Sequence, residues 1–178
     1  MQKIGLFYGS DTGVTEEITH IILEHWDGEE IDIHEICDVT VKNFEDYSIL
    51  FLGLSTWYDG DLQSDWEDFF NDFKTIDFKG KIVAVFGLGD QYGYPEYFID
   101  GVGILAKVII ENGGTIIGHW PTDEYDYTES VADMEDGYFY GLALDNDNQS
   151  ELTDIRIEEW LIKVKEALKQ TTNNKSIV

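Results

Sequence analysis

Three hydroxyl side chains lie close together near the start of the chain. Ser10, Thr12 and Thr15 flank Gly13, and an apolar run comes directly before them. Glycine lets the backbone bend tightly, and a helix that begins here presents unpaired N–H groups and the positive end of its dipole. Such a turn, with its hydroxyls, can hold a phosphate dianion. The alternative is that one threonine merely caps the helix.

The same loop contains neither lysine nor arginine, so a phosphate bound there would be held by neutral donors. Asp11 adds a like charge, and we expect its side chain to point away from the phosphate. The spacing differs from that of a nucleotide P-loop, because no Gly-Lys-Ser or Gly-Lys-Thr sequence follows. The sequence therefore predicts a phosphate site built from backbone N–H groups and hydroxyls.

An aromatic pair follows another apolar run, in the segment Ser55–Asp61 (STWYDGD). Trp57 and Tyr58 stand where a strand is predicted to end. Two rings at such a place favour a stacking surface for a planar ligand. Packing of Trp57 in the core against a neighbouring helix is the alternative.

The segment Gly87–Tyr94 (GLGDQYGY) also follows an apolar run directly. Its glycine spacing is one residue longer than the dinucleotide-binding fingerprint, so by itself it is a weak indication of a ligand. It nevertheless places Tyr92 and Tyr94 on a flexible backbone after a predicted strand.

Short apolar runs alternate with longer amphipathic stretches, which is typical of an α/β protein. Strands are predicted over residues 3–8, 30–36, 48–54, 81–87 and 115–119. Helices are predicted over residues 13–25, 63–74, 97–112 and 153–170. The third and fourth strands are almost continuously apolar, as expected for a parallel sheet that is covered on both faces. The predicted fold is a doubly wound, five-stranded parallel sheet of order 2-1-3-4-5, in which the three segments meet beyond the carboxyl ends of the strands.

The polar, tyrosine-rich segment 121–139 interrupts this alternation and lies before another apolar piece, residues 140–144. We interpret it as an insertion that splits the fifth strand. Residues 1–170 are predicted to form a single domain, and residues 171–178 a flexible tail.

The chain carries 11 basic and 37 acidic residues among 178, a formal net charge of −26. Such a surface repels nucleic acid and anionic lipid and attracts basic partners, although plain solubility or a salt-rich habitat would explain it equally well. Cys37 is the only cysteine, which excludes a disulfide scaffold and fits a reducing compartment. Neither a signal peptide nor a membrane-spanning run is expected, so the predicted location is the cytoplasm.

Four segments resemble the long-chain, cyanobacterial-type flavodoxins, a family of electron carriers. They are KIGLFYGSDTG, TWYDGDLQSDWEDF, FGLGDQYGY and GLALDNDNQSELTD. The resemblance implies a flavodoxin-like fold and flavin mononucleotide (FMN) as the cofactor, and the insertion resembles the one that distinguishes long-chain members. It places the FMN phosphate on residues 10–15 and the isoalloxazine ring between Trp57 and Tyr94, with backbone near Thr56–Gly60 and Gly89–Asp90 at the polar edge of the ring.

The cofactor-binding residues implied by the resemblance come from the three loops and from the chain after the fifth strand. They are Ser10, Asp11, Thr12, Gly13, Val14, Thr15, Ser55, Thr56, Trp57, Tyr58, Asp59, Gly60, Leu88, Gly89, Asp90, Tyr94, Phe98 and Asp147. Asp147 is placed near the ribityl chain. Neither a catalytic residue nor a metal ligand is expected, and a calcium loop over residues 145–151 is excluded because its central glycine and late glutamate are missing.

The implied function is a low-potential one-electron carrier that uses the semiquinone/hydroquinone couple of FMN. The implied partners are redox proteins with basic docking patches, such as a ferredoxin-NADP reductase-like enzyme or a photosystem-type donor, and the carrier is expected to be a monomer. The alternative is an FMN-dependent NAD(P)H or quinone reductase of the same fold. Five residues depart from the family pattern. Val14 stands where lysine is frequent, Tyr58 and Asp59 stand where asparagine and an aliphatic residue are common, and Leu88 and Tyr92 replace commoner small or aliphatic residues.

Overall fold

A parallel sheet forms the centre of the molecule, with its inner strands buried and apolar, and helices flank it. A computed structural model describes residues 3–175. The strands are β1 (Ile4–Tyr8), β2 (Ile31–Glu35), β3 (Ile49–Trp57), β4 (Asp61–Leu62), β5 (Ile82–Leu88), β6 (Thr115–Ile117), β7 (Trp120–Pro121), β8 (Tyr138–Phe139) and β9 (Leu142–Leu144). The helices are α1 (Val14–His25), α2 (Val41–Glu45), α3 (Ser64–Phe73), α4 (Asp100–Glu111) and α5 (Thr153–Lys175).

The main strands run parallel in the order β2-β1-β3-β5-β6. The predicted doubly wound sheet is therefore confirmed, with β5 and β6 as its fourth and fifth strands. In β5 the neighbours Phe86 and Gly87 point to opposite faces: Phe86 contacts Trp160 of α5, and Gly87 lies against Val102 of α4. Cover on both faces is the reason that β3 and β5 are apolar along most of their length.

The fifth position of the sheet is filled by two separate pieces. Strand β6 pairs with Ile82–Ala84, and β9 pairs with Phe86–Leu88 further along the same strand. Between them the chain leaves the sheet and forms the two-stranded β7–β8 hairpin. The predicted split of the fifth strand is thus confirmed.

The main differences from the predicted elements concern three helices. Helix α4 begins at Asp100 rather than at residue 97, because Ile99 has a φ of 50° and cannot continue a right-handed helix. The short helix α2 was not predicted. Helix α5 continues to Lys175, into the segment 171–178 that was predicted to be a flexible tail, and residues 176–178 lie outside the described residues. Over residues 3–175, none of the helices combines the length and apolar character needed to cross a bilayer.

The insertion packs closely on α4 and on an aromatic cluster. The rings of Tyr125, Tyr127 and Phe139 contact Phe98, which is 1% exposed. Gly103 of α4 faces the insertion so closely that a Cβ there would lie 2.3 Å from the backbone carbonyl of Val131. The backbone of the insertion therefore occupies the space that a side chain at position 103 would need.

We expect Gly103→Ala to destabilise the protein by about 1–3 kcal/mol, although alanine is a better helix former, because the added methyl group overlaps a backbone that cannot rotate away. Gly101→Ala is the matched control on the same helix, since its Cβ would first meet the end of the Leu54 side chain. Urea unfolding of both variants measures the difference. A Gly103→Ala variant as stable as the wild type would contradict the packing described.

Candidate ligand-binding site

A cavity of about 290 Å³ opens where β1, β3, β5 and β9 end. Its lining residues come from the three predicted loops and from the chain after β9. They are Thr12, Val14, Thr15, Ser55, Thr56, Trp57, Tyr58, Leu88, Gly89, Asp90, Tyr94, Asn146 and Asp147. The three loops therefore converge on one site.

The first loop leaves the start of α1 without a cap. Gly13 takes the N-cap position with a φ of 87°, and its own N–H donates to Ser10 Oγ at 3.0 Å. Among the described residues, no acceptor takes the N–H groups of Val14, Thr15 and Glu16. Neither Thr12 nor Thr15 acts as the capping residue considered above, and their neighbouring N–H groups remain available to a ligand in the cavity.

Asp11 is turned towards α3 instead of the cavity. Its carboxylate accepts hydrogen bonds from Gln63 Nε2 at 3.1 Å and from the hydroxyl of Ser64. Gln63 is fully buried beneath Gly9, where a Cβ would lie 1.9 Å from Gln63 Oε1. The negative charge of the loop is thereby held at the start of α3, where a helix dipole favours it.

The second loop presents the aromatic pair. Trp57 Nε1 donates to Ser55 Oγ at 2.8 Å, which fixes the indole, and the rings of Trp57 and Tyr58 are 6.1 Å apart. Trp57 is only half-buried and Tyr58 is 63% exposed, so neither ring belongs to the core. Tyr58 has a φ of 45°, and Gly60 follows with a φ of 89°. Two left-handed residues so close together make a tight turn, at a site where such strain often accompanies ligand binding.

A buried carboxylate packs against this turn. Asp100 is 5% exposed and accepts the N–H of Val131 at 2.8 Å, while a Cβ on Gly60 would lie 2.7 Å from its other oxygen. Next to it, Gly101 N–H donates to Thr56 Oγ1 at 2.9 Å. Burial raises the pKa of Asp100, and the hydrogen bond from Val131 opposes this only in part.

The third loop is shaped by Asp90. Its Oδ1 accepts the N–H groups of Tyr92 at 3.1 Å and Gly93 at 2.7 Å, and Asn148 Nδ2 donates to the same oxygen at 2.9 Å. Burial acts to raise the pKa of Asp90, but these three hydrogen bonds outweigh it, and the pKa lies below its usual range. The Asp90 carbonyl then accepts Tyr94 N–H at 3.0 Å, which sets the position of that ring in the cavity wall.

Twelve of the predicted site residues line the cavity, and six lie elsewhere. Ser10, Asp11 and Gly13 shape the first loop, and Asp59 and Gly60 complete the turn of the second. Phe98 lies in the core under the insertion. The sequence prediction omitted Asn146, although it directly precedes Asp147 at the same edge of the sheet; its Oδ1 accepts the hydroxyl of Thr153.

The cavity has two chemically different parts. The end at α1 offers backbone N–H groups and hydroxyls, and the described residues lining it include neither Lys, Arg nor His. The remainder combines the rings of Trp57 and Tyr94 with two carboxylates, Asp90 and Asp147. Burial raises the pKa of Asp147, and the nearby charges of Asp90 and Asp145 raise it further. A ligand with an anionic group at one end and a planar ring at the other matches this distribution, which is the form of FMN.

Comparisons with known proteins give a consistent result. A family model described as Flavodoxin matches residues 6–160. The chain is 46% identical to a flavodoxin from Nostoc sp. over 92% of its length and 96% of that protein, and 48% identical to one from Synechocystis sp. over 94% of its length and 99% of that protein. Its structure resembles the crystal structure of Fusobacterium nucleatum flavodoxin bound to flavin mononucleotide, with a TM-score of 0.88, 32% identity and coverage of 94% of this chain and 99% of the other.

The raised pKa of Asp100 leads to a pH-dependent prediction. A carboxyl whose pKa is higher in the folded state binds its proton more tightly there, so it favours folding at low pH, and that contribution is lost as the pH rises through the folded-state pKa. Asp100→Asn keeps an acceptor for Val131 but removes the buried charge. We expect it to raise the unfolding free energy at pH 7 by on the order of 1 kcal/mol, and by much less at pH 4.

Thermal unfolding at the two pH values measures this difference, with the exposed Asp123→Asn as the control. Equal effects of Asp100→Asn at pH 4 and pH 7 would show that the ionised carboxylate is not destabilising.

Proposed function

The chain belongs to the flavodoxin family, and from this premise we propose that it binds one FMN in the cavity described above and carries single electrons between redox partners. As a flavodoxin it is an electron-transfer protein rather than an enzyme. The observation that carries the assignment of the site is the uncapped start of α1, which opens beside the Trp57 and Tyr94 rings. The flavodoxins matched above give no support to the reductase alternative.

The phosphate of FMN would lie at the start of α1. The N–H groups of Val14, Thr15 and Glu16 would donate to it, together with the hydroxyls of Thr12 and Thr15. A dianion placed there also gains from the helix dipole. Asp11 supports the assignment because its carboxylate is held by Gln63 and Ser64, away from this anion site.

The ring would lie between Trp57 and Tyr94, with backbone of the second and third loops at its polar edge. When bound, FMN supplies the redox chemistry, since its ring takes up two electrons in separate steps. The residues of the chain hold the ring, restrict the access of water and set the charge around it. Asp90 and Asp147, at the same cavity, oppose the arrival of negative charge.

We propose that the partners carry basic docking patches, as a ferredoxin-NADP reductase-like enzyme or a photosystem-type donor would. The net charge of −26 supports this, because a strongly acidic surface steers a basic partner by long-range attraction. Tyr58 and Tyr92, both more than half exposed, lie beside the site and would contact the partner. The proposed carrier acts as a monomer, and the cytoplasm stays its predicted location.

We expect the apoprotein to bind FMN more tightly than riboflavin by several orders of magnitude. Riboflavin lacks the phosphate, and each hydrogen bond to a charged group contributes about 1.5–3 kcal/mol. Fluorescence titration with both flavins measures the ratio. Thr12→Val should weaken FMN binding and leave riboflavin binding unchanged. Similar affinities for the two flavins in the wild type would contradict the phosphate assignment.

We expect Asp147→Asn to raise the potential of the second electron. A carboxylate about 10 Å from the ring opposes an added negative charge by roughly 1–2 kcal/mol, or about 40–90 mV, at an effective dielectric constant of 20. Asp72→Asn is the control for a change in net charge alone, because Asp72 lies near the C-terminal end of α3 and does not line the cavity. Spectroscopic potentiometry resolves the two steps, and equal shifts in the two variants would show that the charge of Asp147 has no specific effect on the ring.

A further inference from the structure

Asp145 is a fully buried carboxylate directly after β9, and it lies outside the set of cavity-lining residues. It accepts hydrogen bonds from Gln91 N–H at 3.2 Å and from Gln91 Nε2 at 2.8 Å. The backbone N–H and the side-chain amide of Asn148 donate to it as well, at 2.9–3.1 Å. A buried charge needs such a set of donors, so these contacts are strongly constrained in geometry.

Gln91 joins three segments that are far apart in the sequence. It is 1% exposed, and it belongs to the third loop. Its Nε2 donates to Asp145, and its Oε1 accepts the N–H of Asp126 in the insertion at 2.7 Å. One amide side chain thus holds the third loop between the insertion and the chain after β9.

The two segments that meet at Asp145 both line the cavity. The third loop contributes Asp90 and Tyr94, and the chain after β9 contributes Asn146 and Asp147. Asn148 Nδ2 contacts both Asp90 and Asp145, so it also spans the two segments. The distance between these walls of the cavity is therefore set by the side chains of Gln91 and Asn148.

The insertion is itself anchored where it contacts Gln91. Arg156 of α5 is 3% exposed; it donates to Glu124 Oε2 at 3.3 Å and lies over the ring of Tyr125, 4.5 Å from its centre. The backbone N–H of Asp126 follows directly and is thus presented to Gln91 from a fixed position.

We propose that Gln91, held by Asp145, is a positioning residue for the flavin ring, and that the insertion acts on the ring through it. The cavity-lining residues named above include no residue of the insertion, so its influence on the ring is indirect, and the contact of Asp126 with Gln91 is one route to the third loop. When the hydrogen bonds of Gln91 are lost, a smaller fraction of the molecules has the third loop in its binding conformation. The apparent affinity for flavin then falls in proportion to that fraction. This inference rests on the proposed function, because it assumes that FMN binds in this cavity.

The test is Gln91→Met, which preserves length and removes both polar atoms. We expect FMN and riboflavin to bind about tenfold more weakly, each by the same factor. The substitution affects the part of the cavity that holds the ring, which both flavins share, and leaves the phosphate contacts intact. We also expect faster amide hydrogen exchange in residues 89–94 of the apoprotein. Asn148→Ala, at an exposed position, should show the same pattern with a smaller amplitude.

Tyr127→Phe is the control, since it removes a hydrogen bond to Asp133 that lies wholly within the insertion. It should leave both affinities unchanged. Folded Gln91→Met and Asn148→Ala proteins that bind both flavins as tightly as the wild type would overturn the inference. If Gln91→Met does not fold, Asn148→Ala alone decides it. A wild-type protein that binds neither flavin would instead overturn the proposed function.

Discussion

The unpaired N–H groups at the start of α1 are the constraint on which the rest of the site depends. Such groups gain from an acceptor, and the helix dipole favours an anionic one, so this position suits a ligand that supplies an anionic acceptor. Three features keep the position open: Gly13 takes the cap position, Ser10 binds the N–H of Gly13, and the carboxylate of Asp11 is drawn to α3. In the proposed site neutral groups would supply the binding, so an anion would be held without a basic side chain.

The acidic residues around the cavity differ in environment and therefore in effect. Asp90 accepts three hydrogen bonds and remains ionised, Asp100 is buried under Gly60 with one donor, and Asp147 lies near two other carboxylates. The negative charges of these carboxylates would oppose the addition of electrons to a planar ligand bound in the cavity. Gln91 holds the third loop in this arrangement, because it binds both Asp145 after β9 and Asp126 of the insertion.

The sequence was sufficient for the sheet, because continuous apolar runs in β3 and β5 and the polar break after β6 are local signals. It was also sufficient for the convergence of the three loops, which follows from strand order alone. The helix over Val41–Glu45 was missed since five residues show little periodicity; it depends on a capping box between Thr40 and Asn43. The position of Phe98 could not be predicted, as its burial depends on the insertion that covers it. The contact between Gln91 and Asp145 joins residues 54 positions apart and leaves no pattern in the sequence.

The central claim, that neutral donors at the start of α1 bind a phosphate dianion, is tested most directly by phosphorus NMR of the FMN-loaded protein. Hydrogen bonds to the charged form lower the pKa of a group, so the signal of the bound phosphate should not titrate between pH 5 and 8. The phosphate of free FMN, with a second pKa of about 6, is the reference. A bound phosphate that titrates like the free one would contradict this account of the site.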